Sequence, residues 1–77
     1  MKEQLIGEAR CGESHVSYYL LEDGPSYGIR VALEGEMAVV RALSPSRSRV
    51  EALAEGLVRG AVTPVALRDV VDDWLLE

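Results

Sequence analysis

The sequence predicts an α+β fold, a four-stranded antiparallel β-meander with two C-terminal helices packed on one face (ββββαα). Three observations carry this reading. Apolar and polar residues alternate with period two through the first half, glycine-bearing turn signals interrupt that half three times, and the second half has helical apolar spacing. No internal repeat, low-complexity tract or linker divides the chain, so residues 1–77 read as one domain.

The first strand spans about residues 3–11 and ends at Gly12-Glu13, a two-residue hairpin turn. The second, about residues 14–22, is rich in Val16, Tyr18, Tyr19, Leu20 and Leu21. Asp23-Gly24-Pro25-Ser26 closes it, because Pro25 cannot donate to a central ladder. The third strand, about residues 27–34, alternates most cleanly, and Gly35-Glu36 turns the chain into a fourth at about residues 37–43.

Each turn implies a register. The first places Leu5 opposite Leu20, Gly7 opposite Tyr18 and Ala9 opposite Val16. A four-residue Asp23–Ser26 loop places Leu20 opposite Ile29, Tyr18 opposite Val31 and Val16 opposite Leu33. A Gly35-Glu36 loop places Ile29 opposite Ala42, Val31 opposite Val40 and Leu33 opposite Ala38. All three registers put one continuous apolar set on the same sheet face.

Helical signals begin at Ser44, an N-cap residue, with Pro45 suited to the first position of a helix over about residues 45–59. Ser48 with Glu51 offers a competing capping box, which leaves the start open by one turn. Val50, Leu53, Leu57 and Val58 form the apolar stripe, and Gly60 stops the helix. Thr63-Pro64 repeats the cap-plus-proline pattern and opens a second helix over about residues 64–76, with Leu67, Val70, Val71 and Trp74 as its stripe. The two stripes cover the apolar sheet face and complete a two-layer core.

Composition narrows the functional classes. Thirteen acidic residues against eight basic ones give a net charge of −5, which disfavours nucleic-acid binding because that needs a basic footprint. The lone Cys11 has no disulfide partner and is expected to pack inward as a small apolar group. One cysteine and one histidine, His15, cannot build a Cys/His metal cluster. Acidic residues where a leader would need an apolar run, and no membrane-length apolar window, predict a cytoplasmic location away from membranes. Phosphate-loop, paired-histidine and nucleophile-elbow motifs are missing, so neither a catalytic site nor a cofactor is expected. At 77 residues a single core supplies only about 3–5 kcal/mol, which makes a dimer or a partner attractive.

The sheet face left over is the more informative surface. Ile6, Tyr19, Leu21 and Val39 give it an apolar patch, with Ala32 and Met37 continuing it, and Tyr19 stands opposite Arg30 for a cation–π contact. Two occupants fit such a face: water alone, or a protein partner or second copy. In the same register Arg30 and Arg41 oppose each other, a weaker indication of an anion site near Arg47 and Arg49. Asp69, Asp72 and Asp73 form an acidic face on the second helix, suited to solvent or to a basic partner and short of the ligands a metal needs.

Three stretches carry a resemblance: Tyr18-Tyr19-Leu20-Leu21-Glu22, Tyr27-Gly28-Ile29, and Leu67-Arg68-Asp69-Val70-Val71-Asp72-Asp73. With these the chain resembles a family of small uncharacterised bacterial proteins, a domain of unknown function chiefly from clostridia and related Firmicutes. That resemblance implies a cytosolic bacterial origin and transfers no catalytic residues. The leftover sheet face and the acidic second helix give two expectations. The first is a non-enzymatic protein-interaction module, homodimeric through the outer sheet face. The second is an adaptor or antitoxin-like subunit that binds a basic partner through its acidic helix.

Overall fold

A computed structural model describes residues 2–76. It contains β1 (Lys2–Cys11), β2 (Ser14–Asp23), β3 (Ser26–Leu33), β4 (Glu36–Ser44), α1 (Arg47–Arg59) and α2 (Pro64–Leu75). Met1 and Glu77, the ends of the predicted domain, lie outside the described residues. The strands form one antiparallel sheet in the order β1-β2-β3-β4, followed by the two helices, the ββββαα arrangement the sequence predicts.

The central pair is regular. β2 and β3 run from Val16↔Leu33 to Asp23↔Ser26 without a register shift, and the predicted pairs Tyr18–Val31 and Leu20–Ile29 form. Asp23 and Ser26 pair with each other, so the turn itself is only Gly24-Pro25.

Both edge strands depart from the predicted register. β1 keeps it at Ala9↔Val16 and Gly7↔Tyr18, then inserts one residue at Ile6, so that Leu5 lies opposite Tyr19 rather than Leu20. Such a bulge turns every side chain beyond it to the other face. On the other edge the turn is Glu34-Gly35, not Gly35-Glu36, because Gly35 takes φ 77 as the second turn residue. Leu33 therefore pairs with Glu36, Val31 with Ala38 and Ile29 with Val40, two residues away from the predicted partners. A shift of two preserves the faces, so the apolar set still points inward. The surplus is absorbed at Arg41–Leu43 opposite Gly28, where Ala42 takes φ 54, and the predicted register returns at Tyr27↔Ser44. Leu43, not Ala42, is the residue that packs against the core.

The core lies between the sheet and the helices. Val16, Tyr18, Leu20, Ile29 and Val31 meet Val50, Leu53, Ala54 and Leu57 from α1 and Leu67 and Val71 from α2. Burying a side chain of the Val, Leu or Ile type contributes about 1.5–3 kcal/mol. The Tyr18 hydroxyl donates to the Val62 carbonyl at 2.8 Å, which ties β2 to the connection between the helices. Burial pushes the Tyr18 phenol above its usual pKa, and charge on Cys11 adds to the effect.

α1 starts at Arg47 because Ser44, the expected cap, is held in the sheet opposite Tyr27. Ser44 Oγ instead accepts from the Ser46 amide at 3.1 Å, and Ser46 caps the helix by accepting from Arg49 N at 3.4 Å. The Ser48–Glu51 alternative is not used. At the other end Gly60 is the C-cap, and Ala61 N and Val62 N donate to the carbonyls of Val58 and Leu57 at 3.1 Å each. That is a Schellman stop with Ala61, at φ 49, in the left-handed position glycine normally fills. α2 opens at Pro64, as expected, and ends at Leu75, but the Thr63 side chain makes no capping hydrogen bond.

Candidate interaction surfaces

The bulges rearrange the outer sheet face. Cross-strand partners place Leu5, Tyr19, Arg30 and Val39 in one row that crosses all four strands. Leu5, Met37 and Val39 are 52%, 62% and 37% exposed, and Tyr19 is half-buried. Arg30 occupies the centre of the row. Its guanidinium lies 4.1 Å above the Tyr19 ring, its Nε donates to Glu3 Oε1 at 2.6 Å, and Nη1 contacts Met37 Sδ at 3.4 Å. The predicted Tyr19–Arg30 stack is present, and a carboxylate neutralises it.

Two predicted members of the patch are unavailable. Ile6 sits in the β1 bulge and packs against the core, so its outer place goes to Leu5. Leu21 is 1% exposed, outside the main core cluster. Its partner is Gly28, where a β-carbon would run into the Val40 carbonyl and come 2.9 Å from Arg41 Cα. Main chain of β4 thus closes against the outer side of the sheet beside Leu21.

Arg30 and Arg41 do not oppose each other. Val39 faces Arg30, and Arg41 lies within the β4 irregularity, so the register on which an anion site was expected is not formed. Cys11, expected to pack inward, is exposed at the end of β1, beside the hairpin turn. Cys11 pairs with Ser14 and His15 with Arg10, which puts the thiol and the imidazole on opposite faces of the hairpin.

The helical layer carries a second surface. Asp69, Asp72 and Asp73 are all exposed and form no ion pair among the described residues. No three His, Cys, Asp or Glu side chains among the described residues are grouped to hold a metal ion. α1 packs on all four strands and α2 on β3 and β4, yet no Cα of one described helix comes within 8 Å of the other. The gap is an open cleft of about 370 Å³ with Leu53, Leu57 and Val62 at its base. Ala52 and Gly56 from α1 and Val70 and Trp74 from α2 form its walls. Arg49, in the first turn of α1, lies 5.0 Å from the centre of the Trp74 ring in the last turn of α2, so the helices run antiparallel. Sequence reading assigned Val70 and Trp74 wholly to the core. Ala52 and Gly56, at spacing four beside the α1 stripe, are the small residues that line the α1 side of the cleft.

A family model described as "Family of unknown function (DUF6514)" matches residues 2–77. Neither a curated protein nor a solved structure matches the chain.

Proposed function

The chain belongs to this family of unknown function, and from its geometry we propose that it is a small non-enzymatic protein-interaction module whose bare sheet face receives a protein partner. The observation that carries the reading is the uncovered row of Leu5, Tyr19, Arg30 and Val39, flanked by Met37, on a sheet with helices on one side only. Exposed aliphatic groups and a half-buried tyrosine around one neutralised arginine suit a contact with an apolar centre and a polar edge. Separation of Cys11 from His15 supports a role without nucleophilic catalysis. A cytoplasmic location and a source among clostridia and related Firmicutes belong to the same reading. No helix among the described residues is long and apolar enough to cross a membrane.

Capture of partners from a lysate of the source organism tests the sheet face. A protein retained by the parent chain and lost with a Leu5→Glu, Val39→Glu double variant is expected. Equal recovery of every protein by the two chains refutes the assignment.

A second reading, an adaptor or antitoxin-like subunit, rests on the exposed carboxylates of Asp69, Asp72 and Asp73, which favour fast encounter with a basic surface. A triple Asp→Asn variant distinguishes it, since it would lose the partner that the sheet-face variant keeps.

A further inference from the structure

We propose that Met37 is an oxidation site, at which peroxide converts the thioether to a sulfoxide and Arg30 holds the added oxygen. Met37 stands on the bare sheet face, opposite Ala32 and beside the row of Leu5, Tyr19, Arg30 and Val39, and it is 62% exposed. Packing shields a core methionine from peroxide, and nothing among the described residues covers this one.

The sulfur already has a donor beside it. Arg30 Nη1 lies 3.4 Å from Met37 Sδ. A thioether is a weak acceptor, so the contact contributes little while the sulfur is reduced. A sulfoxide places negative charge on its oxygen, which accepts a charge-assisted hydrogen bond from a guanidinium. The donor is positioned before that oxygen arrives, because Arg30 is held over the Tyr19 ring at 4.1 Å and its Nε donates to Glu3 Oε1 at 2.6 Å. A guanidinium has N–H groups enough to serve the Glu3 carboxylate and the sulfoxide together, so the oxygen joins the network without breaking the ion pair.

The reaction requires hydrogen peroxide and no further reagent. The Sδ lone pair that Arg30 does not engage attacks one peroxide oxygen. The S–O bond forms as the O–O bond breaks, and the departing hydroxide takes the proton of the transferred oxygen and leaves as water. Two electrons pass from sulfur to peroxide, and Arg30 keeps its proton throughout. A flexible apolar side chain thereby becomes a polar one at the edge of the apolar row. On the reading of this face given above, on which the consequence rests, the sulfoxide weakens the partner contact and enzymatic reduction restores it.

A Cys11→Ser background removes the exposed thiol that would compete for the oxidant. After peroxide treatment, peptide mapping by mass spectrometry should find one added oxygen on Met37 while circular dichroism shows a folded chain. The hold by Arg30 is read from urea unfolding of the reduced and oxidised chains, each with Arg30 and with Arg30→Leu. Oxidation should shift the folding equilibrium about two- to fivefold more favourably with Arg30 present than with leucine there. A Met37→Leu chain treated in parallel corrects for Met1. Two results would overturn the proposal: an unmodified Met37 under conditions that oxidise free methionine, or an equal effect of oxidation with and without Arg30. A captured partner that is lost with Leu5→Glu, Val39→Glu but retained by the oxidised chain overturns the consequence for binding and leaves the sheet-face reading intact. Equal capture by all chains refutes that reading, while the unfolding comparison still decides the oxidation site.

Discussion

The central hairpin and the two edge strands obey the same alternation rule and end differently. β2 and β3 pair without a break along their shared length, whereas β1 takes up one surplus residue at Ile6 and β4 takes up two opposite Gly28. A central strand is constrained by ladders on both sides and by core packing, so a slip costs it two sets of hydrogen bonds. An edge strand has a ladder on one side only and can bend away locally. The bulges therefore fall at the edges, where they decide which apolar residues reach the surface.

The contrast is broken most directly at its centre. Ile29→Ala removes a fully buried side chain from β3 and is expected to cost about 2–5 kcal/mol in urea unfolding, whereas Leu5→Ala, on the exposed row of β1, should stay within about 0.5 kcal/mol. Similar losses at the two sites would mean that Leu5 is buried and the β1 bulge misplaced.

Gly28→Ala tests the seam between centre and edge. The new methyl would meet main chain at Val40 and Arg41, which cannot swing aside as a side chain would. A loss of about 1–3 kcal/mol is expected from forced overpacking. An unchanged midpoint would show that β4 does not close over this position.

Tyr18→Phe should have the smallest effect, about 1 kcal/mol near neutral pH, from loss of the hydrogen bond to Val62. It also carries a pH signature. The folded state holds the Tyr18 phenol above the ordinary value, primarily through burial. The stability this represents is complete below the unfolded tyrosine pKa of about 10 and is lost as pH rises from there through the folded pKa. The parent should therefore lose more stability than the Phe variant above about pH 10. Parallel alkaline profiles for the two proteins would count against a neutral, buried phenol.

The sheet-face candidates were legible only in part, for the same reason. Tyr19, Arg30 and Val39 lie where alternation puts them, and the Tyr19–Arg30 contact forms. Ile6 does not, because one residue of bulge reverses the facing of β1, and Leu21 keeps its face but is buried there beside the folded-over β4 chain. Neither event leaves a mark in the local pattern. Arg41 lost its expected place opposite Arg30 to a shift of the last turn by one residue, decided by which of two neighbouring positions takes the positive φ of Gly35.

By itself the sequence determined the order and type of all six elements, the strand order, and the inward set from Val16 to Val31, because periodicity and turn chemistry act within a few residues. It also determined the net negative charge and the exposed carboxylates of α2. Tertiary structure alone decided where the edge strands bulge, that Ser46 rather than Ser44 caps α1, and that the helices stand apart over an apolar cleft. Each of these is a competition between groups distant in the chain, such as Tyr27 for Ser44 or two helices for one sheet, and its outcome depends on how closely the layers can approach.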